Sequence, residues 1–91
     1  MSMPDKYARC GYEQVTNLSS AVGLTVPAAA MAALIQAQGA VVRWRDDGTD
    51  PTASVGMRLL QDFDMWYTGD LSSIRFIQES ASGVLNLSYY G

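Results

Sequence analysis

Residues 43–57, RWRDDGTDPTASVGM, constrain the fold more than any other part of this chain. Val42 and Trp44 alternate with Arg43 and Arg45, the two-residue period of a strand with one apolar and one charged face. Asp47-Gly48 then supplies the positive φ that a tight turn requires. Pro51 has no N–H for a ladder, so the chain must leave the sheet edge there. Gly56 lets the next strand start in close contact with its neighbour. Asp46 and Asp47 fall within reach of the two arginines or of the turn amides. The stretch reads as a structural corner in an antiparallel sheet.

The same period recurs along the chain. A strand is expected over residues 13–18 with Val15 and Leu18 inward. Ala40 joins Val42 and Trp44 on the inner face of the central strand. Phe63, Met65 and Tyr67 alternate with Asp64, Trp66 and Thr68; Ile74 and Phe76 alternate with Arg75 and Ile77; Leu85, Leu87 and Tyr89 alternate with Asn86, Ser88 and Tyr90. Turn signals at Gly48, Gly56, Gly69 and residues 80–83 separate them. Short strands at such intervals define an all-β protein, a small antiparallel β-sandwich of jelly-roll-like type. Residues 1–11, polar and aperiodic around Pro4, read as an extended N-terminal arm, and residues 12–91 as one sandwich domain.

Residues 27–39 are ambiguous. Pro27 suits a first helical position, the alanines favour helix, Met31, Leu34 and Ile35 follow helical spacing, and Gly39 could end it. As a strand, Ala32, Leu34 and Gln36 face one way and Met31, Ala33 and Ile35 the other, although alanine is a poor strand former. The surrounding β pattern decides for a strand over residues 31–38.

With 91 residues, a single domain buries only roughly 60–65% of the surface its unfolded chain exposes, so association is a natural source of further stability. The net charge of −3 argues against wrapping nucleic acid, which needs a basic stripe. Arg43, Arg45, Arg58 and Arg75 are spread over three expected strands, from which a local basic patch can still assemble. Cys10 is the one cysteine, so no intrachain disulfide is expected. No secretory signal is recognisable, and the apolar-rich run at residues 26–37 is too short to span a bilayer. A soluble protein made in a cytoplasm is expected, without a membrane partner.

Several segments in this order resemble a family of small proteins from tailed bacteriophages and prophages. They are VTNLSSAVGLTVP at 15–27, ALIQA at 33–37, the stretch at 43–57, IRFI at 74–77 and LNLSYY at 85–90. The resemblance covers the chain from Val15 onward, and its middle motif is the most specific part. It implies a compact β-sandwich encoded among virion genes, and it supports the strand at 31–38. The run Ala28-Ala29-Ala30 departs from the small-polar turn usual in the family.

No reaction centre is legible. Histidine is absent, removing the usual general base and the commonest metal ligand. Asp46, Asp47 and Asp50 crowd a glycine, but without the alternating ligands and terminal glutamate of a calcium loop. Asp62 and Asp64 would share one strand face, where a solvated pair is the simpler reading. Cys10 has only Arg9 or Lys6 to activate it, and Ser72, Ser73, Ser80 and Ser82 have no elbow motif around them. Neither cofactor, metal nor enzymatic activity is expected.

The aromatic residues remain. Trp66 and Tyr90 point away from the inward sets of their strands, and Tyr7 and Tyr12 flank the arm. Tyr7, Tyr12, Trp66 and Tyr90 are therefore the candidate protein interface, since tryptophan and tyrosine concentrate at interface centres. An outward tryptophan beside carboxylates would also suit stacking on a sugar. The expected function is a virion structural protein, first a capsid decoration or cement protein on the major capsid protein, otherwise a connector or tail adaptor. It would be homo-oligomeric and located in the virion; a carbohydrate- or receptor-binding module is the alternative of another class.

Overall fold

The computed structural model describes residues 8–91. Their regular structure is all β: β1 (Arg9–Val15), β2 (Ala32–Gln38), β3 (Val42–Arg45), β4 (Met57–Leu59), β5 (Asp64–Tyr67), β6 (Arg75–Gln78) and β7 (Val84–Tyr90). Two antiparallel sheets, ordered β1-β7-β2-β5 and β4-β3-β6, pack their apolar faces together as a small β-sandwich. In an eight-stranded jelly roll, the first strand pairs with the last, the last with the third and the third with the sixth. The second, seventh, fourth and fifth strands make its other sheet. The observed order is that pattern with the second strand reduced to one bridge, Val22 opposite Phe76. Val22 and Phe76 exchange backbone hydrogen bonds of 2.9 Å in both directions, and Gln78 N–H donates to the Leu18 carbonyl at 3.0 Å. Residues 18–22 thus cover the β6 edge, which would otherwise present unpaired backbone.

The core alternates as the strand period demands. Val42, Ile74, Phe76, Leu85, Leu87 and Ile35 are fully buried, while Arg43, Arg45 and Arg75 lie on the opposite faces of their strands. β2 settles the helix question by its neighbours. Lying between β7 and β5, it sets Ala33 directly between Tyr89 and Tyr67, where a larger side chain would collide with two rings. The alanines that weaken a strand locally are thus the right volume for this layer, and packing overrides propensity. Only one turn forms before it, with Ala30 N–H donating to the Pro27 carbonyl at 3.1 Å.

The corner at 43–57 also folds as expected. Gly48 has φ +88° and Gly56 φ +143°, and a Cβ on Gly56 would lie 3.1 Å from the Trp44 carbonyl oxygen and 3.2 Å from Pro51 Cβ.

Several boundaries differ from expectation: β2 starts at Ala32 rather than residue 31, and β3 at Val42, leaving Ala40 buried ahead of the strand. β1 runs over Arg9–Val15 rather than 13–18, and Ala8 and Gly91 exchange backbone hydrogen bonds of 2.9 and 2.8 Å. Residues 9–11 therefore belong to the sheet rather than to an arm, because long β7 offers them a partner; residues 1–7 lie outside the described region. Leu18, though buried, sits in a turn. Phe63 is 62% exposed, since β5 begins at Asp64 and the chain is still leaving a turn in which Phe63 N–H donates to the Leu60 carbonyl at 3.0 Å. Asp62, in that turn with φ +66°, does not share a strand face with Asp64.

Candidate functional site

Two buried tyrosines each hold a carboxylate at the margin of the core. Tyr67, buried on β5, donates to Asp46 Oδ2 at 2.8 Å and meets Trp44 edge-on with centroids 6.0 Å apart, so the corner after β3 is fastened to the other sheet. Tyr89, buried on β7, donates to Glu13 Oε1 at 2.6 Å. Burial first, then the adjoining carboxylate, pushes both phenols well above the ordinary tyrosine range. Asp46 therefore works as an acceptor for a core side chain. Asp47 is bound to Arg45, at 3.1 and 2.5 Å, which holds its carboxyl below the usual range. Asp46 and Asp47 thus face different partners, and among the described residues no three His, Cys, Asp or Glu side chains gather as metal ligands.

Ser72 and Ser73 donate to opposite oxygens of Asp70 at 2.6 and 2.7 Å. These bonds hold the Asp70 carboxyl below its usual range, which makes it a weaker base, so the cluster closes a turn rather than activating a nucleophile. Cys10 Sγ lies 3.7 Å from the Ala8 carbonyl.

The outer face of β1-β7-β2-β5 is where the candidates converge. One cross-strand row runs Tyr12, Ser88, Leu34, Trp66, and the next runs Gln14, Asn86, Gln36, Asp64. Trp66 and Tyr90 stack obliquely, centroids 5.5 Å apart, and Ser88 Oγ donates to the Tyr90 hydroxyl at 3.1 Å. Tyr12, 65% exposed, stands three strand spacings from Trp66, roughly 14 Å. Beside the aromatic row runs an amide ladder centred on Asn86. Its Oδ1 accepts from the Tyr12 hydroxyl at 2.8 Å and from Gln14 Nε2 at 2.9 Å. Its Nδ2 donates to Gln36 Oε1 at 3.3 Å and Gln38 Oε1 at 3.1 Å. A shallow depression of about 180 Å³ between Tyr12, Leu34, Gln36, Asp64 and Asn86 marks the centre of the face.

Three of the four aromatic residues singled out from the sequence, Tyr12, Trp66 and Tyr90, thus share one face; Tyr7 lies outside the described residues. Sequence reasoning missed the ladder of Gln14, Gln36, Gln38 and Asn86. Alternation places each of them outward, but only the strand order brings them together. It also missed an open groove of about 420 Å³ along Trp44, Asp47, Val55 and Met57. No family model, curated protein or solved structure matches this chain.

Proposed function

We propose that this chain is a non-enzymatic structural protein of a tailed-phage particle, in first place a capsid decoration or cement protein and otherwise a connector or tail adaptor. It docks on larger virion subunits through the outer face of β1-β7-β2-β5. The observation that carries the reading is the convergence of Tyr12, Trp66 and Tyr90 on one face whose neighbouring amides bond one another. Such a face offers large aromatic contacts with few polar groups left to satisfy when water is removed. Resemblance of residues 15–90 to tailed-phage proteins directs the reading to the virion, and jelly rolls are a recurrent capsid architecture. Each docked copy stabilises the assembled shell over its dissociated parts by mass action, with a standard interface burying about 800 Å² per partner.

The test adds purified protein to shells of the same phage that lack it. The native chain should bind and raise the shell's resistance to heat, while a Tyr12→Ala, Trp66→Ala chain that remains folded should not. Equal binding by the double variant would overturn the docking face. Jelly rolls also form lectin domains, and aromatic platforms beside an amide ladder fit a glycan. Normal shell binding together with loss of a glycan-array signal in the Trp66→Ala protein would transfer the face to that second reading.

A further inference from the structure

The opposite face of the sandwich carries an unusual distribution of charge. Arg58 stands directly across from Arg43, and Arg75 across from Arg45. The four arginines that the sequence scatters over three strands therefore share the outer face of β4-β3-β6. Like charges directly opposite one another weaken a sheet. Glu79 offsets the first pair, with Oε2 at 2.7 Å from both Arg43 Nε and Arg58 Nε. The Arg58 contact is a hydrogen bond. Arg43 Nε, closed off from water, faces the carboxylate out of line and is left without one. For the second pair, only the exposed Asp47 is at hand, and it binds Arg45. Arg75, itself exposed, has no ion pair among the described residues.

This face thus sets four arginines against Glu79 and Asp47. Over the rest of the described residues the balance is reversed: Arg9 stands against Glu13, Asp46, Asp50, Asp62, Asp64 and Asp70. Three of those acids are engaged, Glu13 with Tyr89, Asp46 with Tyr67 and Asp70 with its serines. Asp62 and Asp64, exposed where the chain enters edge strand β5, have no ion pair among the described residues. One chain therefore presents both halves of a complementary contact.

We infer that the arginine face of one copy receives the Asp62–Asp64 corner of a second copy. Arginine's planar fork fits a carboxylate in two parallel bonds. A second copy is favoured over a polyphosphate because this chain itself supplies the matching carboxylates, Asp62 and Asp64, which have no ion pair among the described residues. The molecule's broad dimensions, 36 × 26 Å, leave room for the roughly 800 Å² per partner of a standard interface. The two patches differ, so the contact is head to tail and repeats into a ring or a row. This extends the homo-oligomer expected of a particle protein, and it does not depend on the docking face being correct.

Sedimentation velocity tests it over a wide concentration range at low and high sodium chloride. At low salt the weight-average mass should rise with concentration, and it should return to the monomer's at about 0.5 M salt, where screening is complete within a few ångström. Arg75→Ala alone and Asp62→Asn/Asp64→Asn alone should each stay monomeric. Mixed one to one they should form a dimer that grows no further, because each variant keeps one intact patch. Circular dichroism melts establish that both variants are folded. A wild-type chain that remains monomeric at low salt, association indifferent to salt, or folded variants that do not pair would each overturn the inference. So would a wild-type chain that stays monomeric while binding a DNA oligomer through Arg75.

Discussion

Replacing Tyr89 by phenylalanine isolates one hydrogen bond in the core. The ring is 1% exposed and sits between Gly11 and Ala33 on the inner face, so removing one oxygen leaves its burial intact. What is lost is the 2.6 Å bond to Glu13 Oε1. A bond to a charged group contributes about 1.5–3 kcal/mol. Glu13 is only partly buried and keeps the Thr25 N–H at 3.1 Å, so the expected loss lies toward the lower end, about 1.5–2 kcal/mol. For a domain of this size that lowers Tm by roughly 6–16 °C, and the chain still folds. Coupling measured in a cycle with Glu13→Gln should recover a substantial part of the loss.

The pH dependence gives a second readout. In the folded state, burial and then the Glu13 bond raise the Tyr89 hydroxyl well above the ordinary tyrosine range. The unfolded phenol ionises near pH 10. A raised folded value means that this contribution is fully present below about pH 10 and is lost as pH rises from there toward the folded value. Urea midpoints measured from pH 8 to 12 should therefore fall steeply for the native chain. The fall should be shallower for Tyr89→Phe, the remainder belonging to Tyr67, which is raised in the same way. A variant as stable as the native chain at pH 7, or one with an unchanged alkaline slope, would refute the reasoning.

Gly56→Ala should destabilise by about 1–3 kcal/mol, because at φ +143° its Cβ meets the Trp44 carbonyl and the Pro51 ring; a thermal melt checks it. Ile35→Ala empties a fully buried site at the centre of β2 and should cost about 2–5 kcal/mol, read as a lowered urea midpoint with an unchanged slope. On the acid side, Arg58 lowers the Glu79 carboxyl, Arg45 that of Asp47, and Ser72 with Ser73 that of Asp70. Their stabilisation is present above the unfolded carboxylate range near pH 4 and disappears as pH falls through the lower folded values. Urea midpoints should accordingly drop below about pH 4.5, and less steeply in Glu79→Gln.

How much of this was legible beforehand varies from residue to residue. The inward sets Val42 and Trp44, Ile74 and Phe76, and Leu85, Leu87 and Tyr89 follow from a period of two, which a strand imposes wherever it has one dry face. The turn at Gly48 and the close approach at Gly56 follow from local sterics. Trp66 and Tyr90 were readable as outward for the same reason. Phe63 was misread because periodicity applies only inside a strand and β5 starts one residue later. The start of β1 was missed because pairing with β7, not local pattern, sets its length.

By itself, then, the sequence determined the class of fold, the inner face of most strands and the corner after β3, since each of these rests on neighbours along the chain. Tertiary structure alone decided the rest. It made 32–38 a strand by placing Ala33 between two tyrosines, and it reduced the second jelly-roll strand to a bridge at Val22. It lined Tyr12 up with Trp66 across four strands, and it set Arg58 against Arg43. Those relations join residues dozens of positions apart through strand order and register, which no short window of the chain contains.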